Sequence, residues 1–512
     1  MALSSVKQIV LLICTTAAMC SSMVYANLSS LTKNDPYPLY TALDPHEFLY
    51  QRTKERMKGF GLEICTPERV SISFSAFGQN ADRGRDCCNN EVELGDINGR
   101  WNMVGLLYGP APAGQTFAPT LVRAFNVLFP GLTLGTLNDP QYIDPKQRAG
   151  FFSIPLKYSK RGLRWDFNAM LFWDIGFNFQ GGIADICQKA CNHCLNYIRP
   201  CPVDALNNTL CNTAPNVCPR FFNLTCSGTS NGDTNPDCGF YFPSLVTPTF
   251  NLRNVNDTLM DEVNRITQEI GIDTDDFHKI SIEDLRFNIF WRHGWLVNST
   301  RVERNWAEFI AIPFLIVGGS APTGKIKTPN QPFALPFGNN GHASFGATGG
   351  IDFDFVETIE FGGEIGFTKF FARDFCNYPV PTSQYQSGIY PFKTDVRIQP
   401  GTNWHFGAKM HAYRFLDRLT AWVQYILLHH EKDCISVKSS NGCTSCGPND
   451  PNSVFMPDVL ADISSFKVQV LNVGLTYEVS PNIIFGGLWQ APLSQRNAYR
   501  SSTLLFTLAA IF

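Results

Sequence analysis

The sequence predicts an all-β fold, a transmembrane antiparallel β-barrel. Three observations carry that prediction. Long runs place an apolar residue at every second position, no helical membrane span follows the apolar leader, and the chain ends on an alternating stretch that stops at an aromatic residue. Successive strand side chains point to opposite faces, so sustained alternation describes a wall with lipid on one side and water on the other.

Composition fits this reading. A chain of 512 residues would ordinarily divide into soluble domains, at roughly 150 residues each, but one closed sheet can run the whole length. Hydrophobic residues make up 44% of the chain while mean hydropathy is only -0.08, so apolar residues are diluted by polar ones as alternation requires. Phe alone accounts for 41 residues, a surplus that a lipid-facing wall would use. The net charge of -3 gives no ground for a nucleic-acid partner.

Residues 1-26 read as a secretory signal peptide: Lys7, an apolar run from Ile9 to Ala18, and Val24-Tyr25-Ala26 before Asn27. A membrane anchor fits less well because the run is too short to span. Lipid attachment at Cys20 would need a small residue before it, and Met19 stands there. Residues 27-64 are expected as an N-terminal periplasmic segment and 65-512 as the barrel, including a cysteine-rich extracellular loop at 181-280. The expected location is the bacterial outer membrane, with its lipid as the immediate partner.

The strongest alternation runs from Leu163 to Gln180. Leu163, Trp165, Phe167, Ala169, Leu171, Trp173, Ile175, Phe177 and Phe179 share one face, opposite Arg164, Asp166, Asn168, Asp174, Asn178 and Gln180. Read as one strand, it is about three times the usual soluble length. The same period places Asp284, Arg286, Asn288 and Arg292 opposite Leu285, Phe287, Ile289, Trp291 and Trp295. It sets Asp352 and Asp354 opposite Ile351, Phe353 and Phe355, and Glu360 and Glu364 opposite Phe361 and Ile365. His405, Lys409 and His411 oppose Phe406, Ala408 and Met410, and Asn472, Thr476 and Glu478 oppose Leu471, Leu475 and Tyr477. The expected pore-lining residues are therefore Arg164, Asp166, Asn168, Asp174, Asp284, Arg286, Arg292, Asp352, Asp354, Glu360, Glu364, His405, Lys409 and His411. On this assignment Arg should be costly at Phe167 or Leu171 and tolerated at Asn168.

Short links are expected at 159-162, 298-300, 356-358, 416-418 and 480-482, and long Gly- and Pro-rich loops at 181-280, 318-342, 373-402 and 432-464. Alternating short turns and long outer loops is the outer-membrane pattern. About thirteen strands are visible, and an even number is required, so the expectation is fourteen, with sixteen as the alternative and a hidden strand near 131-137. Helical stretches are expected at 119-129 and 255-270. The first should pack on the rim or constrict the pore.

Leu504, Phe506, Leu508, Ala510 and Phe512 fall on one face of the last strand. That pattern resembles the signal read by the bacterial barrel-assembly machinery, which is thus an expected partner.

Fifteen of the 17 cysteines remain once Cys14 and Cys20 leave with the leader. Clustered in loops of an exported chain, Cys87, Cys88, Cys187, Cys191, Cys194, Cys201, Cys211, Cys218, Cys226, Cys238, Cys434, Cys443 and Cys446 are disulfide candidates. Cys65 and Cys376 stand alone. The odd count leaves a thiol for another chain, so a homo-oligomer or disulfide-linked envelope proteins are the covalent partners that the loops would allow. Cys191-x-x-Cys194 with His193, and Cys443-x-x-Cys446, have zinc-like spacing, but an oxidising medium favours disulfides, and neither metal nor cofactor is expected. No catalytic set emerges, so no enzyme is expected. His429-His430-Glu431 reads as a rim cluster, and His405, His411 and Glu364 are the candidates for a lumenal site.

An exported barrel with cysteine-rich outer loops and a terminal Phe512 resembles the major outer membrane proteins of chlamydia-like bacteria and of Legionella. That resemblance implies a porin for ions and small hydrophilic solutes, with cysteines that can cross-link an envelope. Two alternatives stand beside it: a structural or adhesive surface protein, and a hydrophobic-solute transporter.

Overall fold

The computed structural model describes residues 70-102, 104-128, 133-134, 151-172, 174-190, 196-197, 263-297, 309-355, 359-416, 418-438, 454-480 and 482-512. Twelve strands close an antiparallel barrel. In chain order they are β1 (Val70–Ala81), β2 (Leu156–Phe172), β3 (Ile175–Ala190), β4 (Leu285–Arg292), β5 (Phe309–Ala321) and β6 (Ser344–Phe355). There follow β7 (Ile359–Phe370), β8 (Asn403–Leu416), β9 (Leu419–His430), β10 (Phe466–Ser480), β11 (Ile483–Arg496) and β12 (Ser502–Ile511). Each pairs with its sequence neighbour, and β12 pairs with β1 from Ser71↔Ile511 to Asn80↔Ser502, so no edge is left open. Strand β4 is the middle of a longer run: Phe277–Ile282 pairs with β3 above it and Trp295–Val297 with β5 below it.

The count is twelve, not fourteen or sixteen. Because β1 pairs directly with both β12 and β2, no strand from 108-149 can lie between them. Residues 159-162, expected as a link, run inside β2 and pair with β1 and β3. Three stretches that alternate like barrel strands, Arg373–Pro379, Lys393–Gln399 and Cys434–Val437, form a separate sheet on the loops.

The run 163-180 is not one strand but a hairpin. Strands β2 and β3 face each other as Ala169↔Phe177 and Phe167↔Phe179, with a register shift between Met170 and Phe172. Paired residues therefore have the same parity. The shift keeps odd-numbered residues on the lipid side through the turn, so periodicity alone cannot see the reversal. Trp173 lies outside the described residues, as do 298-308, 356-358 and most of 191-262. The strands flanking 356-358, 417-418 and 481-482 do pair as adjacent hairpins.

Long connections gather at one end. There, helix α1 (Pro119–Leu128) is the expected apolar helix, with Leu121 and Phe125 fully buried. It packs on α2 (Val263–Glu269), whose Glu269 accepts hydrogen bonds from the Thr120 backbone N–H (2.7 Å) and hydroxyl (2.6 Å). The segment before α1 joins the loop at 380-393: Gln386 Nε2 donates to the Tyr108 carbonyl at 2.9 Å, and Ser387 Oγ to the Arg100 carbonyl at 2.8 Å. A second small core of Phe375, Tyr378, Val380, Tyr390, Phe392, Val396 and Ile398 lies beneath the loop sheet, with Leu460 of α3 (Pro457–Asp462) packed into it.

Candidate functional site: the barrel lumen

Alternate residues of every strand leave the barrel in opposite directions. Leu163, Ile183, Phe287, Ile289, Leu315, Ile365, Phe406, Leu475, Phe485, Leu504, Phe506 and Leu508 are exposed on the outer wall, where water contact would be costly and lipid contact is not. Ala510 shares that face, and Phe512 is exposed beyond the strand end. Tryptophans mark both borders of this belt: Trp291 and Trp295 at the short-turn end, Trp404 and Trp489 at the long-loop end. The indole N–H of Trp404 donates to Glu431 and that of Trp489 to Ser502, both at 3.0 Å. An apolar ring with a hydrogen-bonded tip suits a membrane interface.

The polar positions read from the sequence point inward, and most are buried among each other. Towards the short-turn end Asp352 binds Arg292 and, at 3.2 Å, Lys409, whose ammonium also lies 3.9 Å from Glu360. Asp354 and Glu360 face each other on β6 and β7, and both are buried. Lys409 reaches Asp352 across β7 because Gly362 lies between them, where a Cβ would overlap the Asp352 carboxylate. The cations also lie over the Phe314 ring, at 5.4 Å for Arg292 and 5.7 Å for Lys409. Just below, Asp174 meets His293 Nδ1 at 2.8 Å.

From β1 to β4, neutral side chains form a ladder around the wall. Asn168 donates to Ser71 at 3.3 Å, Asn178 to Asn168 at 2.7 Å, and Asn288 to Asn178 at 3.1 Å. Ser73 donates to Asp166 at 3.4 Å. A second ladder links Asn472 to Gln424 (3.2 Å) and Gln490 to Asn472 (3.1 Å). Asn168, where Arg was expected to be tolerated, is thus a fully buried ladder member.

At the long-loop mouth the Arg164 guanidinium grips Glu283 at 2.7 and 3.0 Å, and Lys160 joins it at 2.9 Å. Its neighbour Asp284 also turns inward and accepts the backbone N–H groups of Gly324 (2.9 Å) and Asn339 (2.6 Å). The loop 322-343 is thereby tethered to the barrel, with Phe333 and Phe337 buried and Arg286 buried on the strand nearby.

His405, His411 and Glu364 lie on the inner faces of the adjacent strands β7 and β8. His405 Nε2 lies 3.2 Å from the Thr348 hydroxyl, the His411 ring lies against Trp422, and Glu364 pairs in register with Gly407. His430, expected at a rim cluster, is buried between Asn403 Oδ1 (2.7 Å) and Asp433 Oδ1 (2.9 Å). No group of His, Cys, Asp and Glu among the described residues could hold a metal ion.

Cys87 is disulfide-bonded, while Cys88, Cys187 and Cys434 carry free thiols, against expectation; so does Cys376. Cys187 sits on the outer wall of β3, in the sheet rather than in a loop. Cys65 and the candidates at 191-238, 443 and 446 lie outside the described residues.

Several lumenal residues are invisible to parity. Lys160 sits where a turn was expected. Glu283 shares its inward direction with Asp284 because the strand bulges between Ile282 and Leu285. Phe290, Phe314, Trp422, Ile426, Leu428, Val468, Val470 and Leu488 are apolar yet buried on the inner face. The charged lumenal residues thus lie between β2 and β8, and Trp422, Ile426, Leu428, Val468, Val470 and Leu488 form an apolar strip on β9 to β11.

No protein-family model matches the chain, and no curated protein does. Solved structures similar to it are outer-membrane barrels. An outer membrane channel from Pseudomonas putida F1 has 8% identity and a TM-score of 0.41, over 88% of this chain and 97% of that one. The transport unit of the autotransporter AIDA-I from Escherichia coli has 6% identity and a TM-score of 0.31, over 92% and 99%. A FadL homologue from Pseudomonas aeruginosa has 8% identity and a TM-score of 0.24, over 87% and 90%. The likeness is one of fold.

Proposed function

We propose that this barrel is an outer-membrane porin, a passive path for ions and small hydrophilic solutes. The observation that carries the reading is the charged lumen sector, where Arg164, Glu283, Arg286, Arg292, Asp352, Glu360 and Lys409 line one side from mouth to mouth. In lipid such residues would be costly, and along a pore they set ion preference. Both signs occur at both ends, so the preference is weak. The buried, mutually paired charges around Asp352 support a limit to small solutes. The resemblance to major outer membrane proteins supports the same role, and the outward row Leu504, Phe506, Leu508, Ala510 and Phe512 supports recognition by barrel-assembly machinery. Liposome swelling tests the size limit: influx of a pentose but not of a trisaccharide is expected, and exclusion of both sugars would count against the reading.

The apolar strip favours a second reading, a path for hydrophobic solutes. Ile426, Leu428, Val468 and Val470 pack together on the inner face of β9 and β10. Uptake of a long-chain fatty acid without sugar influx would favour it.

A further inference from the structure

The outer wall carries a basic groove directly above the lipid belt, and we propose that it binds the phosphate headgroup of a lipid in the leaflet at the long-loop end. The groove encloses about 610 Å³, and Lys157, Lys189, Arg83 and Arg500 line it with Asn80 and Ser502. Asp82 is the single carboxylate in that lining.

The register makes the charge notable. Lys157 of β2 and Lys189 of β3 are direct cross-strand partners, and both are exposed on the outer face. Like charges directly opposite one another destabilise a sheet pair unless something neutralises them. Each arginine has its own carboxylate, Glu93 for Arg83 and Glu91 for Arg500 at 3.0 Å. Arg161, Asp185 and His278 form a group two outward positions down the wall, at 3.1 and 2.8 Å. The two lysines have no ion pair among the described residues. An anion between them would relieve the repulsion.

Height on the wall selects the kind of anion. Ser502, in the groove, accepts the indole N–H of Trp489, and Trp489 is the outward residue that borders the belt there. Below it Leu504, Phe506 and Leu508 are bare on the outer face. A groove at the level of an interfacial tryptophan lies where headgroups lie, and acyl chains of the same lipid would cover the leucines and Phe506. The occupant is thus an anionic lipid rather than a soluble phosphate.

The test reconstitutes the full-length protein in phosphatidylcholine vesicles doped with bisphosphorylated lipid A or its dephosphorylated form, then extracts it in mild detergent and measures co-purifying lipid A. The native protein should retain the phosphorylated form. Lys157→Gln/Lys189→Gln should lower that retention by roughly 25-fold, at about fivefold for each lysine near an anionic surface. Lys369→Gln, on the outer face of β7, should leave it unchanged, and heat-modifiable migration verifies folding of all variants. Equal retention of both lipid forms, or no change in the double variant, would overturn the proposal. Release of the bound lipid by millimolar inorganic phosphate would also overturn it, because the site would then read phosphate without the membrane.

Discussion

Lys409 Nζ lies 3.2 Å from Asp352 Oδ1 although their strands are not neighbours: the contact crosses β7 at Gly362. Both side chains are less than a tenth exposed, and Asp352 also holds Arg292. One carboxylate thus serves two buried cations. Removing it takes a carboxylate partner from both, and breaking a buried pair costs about 3–5 kcal/mol. Asp352→Asn should lose roughly that much in urea titrations of the vesicle-inserted barrel. Replacing Lys409 by Met in the same background should restore part of the loss. If Asp352→Asn unfolds at the native urea concentration, the network contributes nothing to the wall.

The lipid and lumen faces make opposite demands. An Arg on the lipid face costs roughly 2–4 kcal/mol at the bilayer midplane and less towards an interface. Phe167→Arg should therefore cost more than Leu171→Arg, which lies beside the hairpin turn. Asn168→Arg should also impair assembly, for a different reason: it breaks the bonds to Ser71 and Asn178. Asn168→Asp keeps the shape and should assemble. Heat-modifiable migration separates the three cases. Normal assembly of Asn168→Arg would show that the ladder can open.

Asp284 tethers the loop 322-343 through two backbone N–H groups. Hydrogen bonds to a charged group contribute about 1.5–3 kcal/mol each. Asp284→Ala should loosen the mouth without unfolding the barrel, seen as faster proteolysis within 322-343. Gly338 has a φ of +120° and lies against the same carboxylate, where a Cβ would overlap it. Gly338→Ala should therefore give the same cleavage pattern as Asp284→Ala. Protection equal to the native protein in both variants would remove Asp284 as the anchor.

The loops should respond to pH in two windows. Burial pushes the Asp96 carboxyl up to about 7, even though Ser153 and the Ile154 N–H donate to it. A raised acid stabilises the fold fully below about pH 4, and that stability is lost as pH rises through about 7. Lys327 is the reverse: burial lowers its ammonium to about 7, so its contribution is complete above about pH 10.5 and is lost as pH falls through about 7. Near neutrality both groups are at their least favourable. Asp96→Asn should flatten the lower window, removing the fall in thermal stability of the loops between pH 4 and 7. An unchanged fall would assign the lower window to other groups.

Cys376 and Cys434 are exposed free thiols on the loop sheet, and a test of the expected cross-linking to envelope proteins starts with them. Non-reducing electrophoresis of envelopes, with thiols blocked before lysis, should show high-mass bands that a reductant collapses. Loss of the bands in Cys376→Ser/Cys434→Ser would assign them to these two thiols. A monomeric band in the native protein would dismiss the cross-linked wall.

Much of this was legible because lipid and water impose opposite chemistry on alternate residues. The polar residues of the alternating runs, from Arg164 to His411, turn to the inner face where they lie on barrel strands. The hairpin at 173-174 was not legible, because its register shift preserves parity. Strand β5 was obscured for another reason: Ile312 and Phe314 face the lumen, so Phe309–Ala321 has apolar residues on both sides and no period. Alternation likewise says nothing of reach. That Lys409 would cross a strand to Asp352 depends on Gly362, whose role appears only once register is fixed.

Single-channel recording bears most directly on the account. The purified, folded protein in a planar bilayer should give stepwise, ohmic conductance with weak ion preference, and Lys409→Met should shift that preference towards cations. Persistent silence of folded protein across many insertions would contradict the porin reading. So would a conductance whose ion preference is indifferent to Lys409.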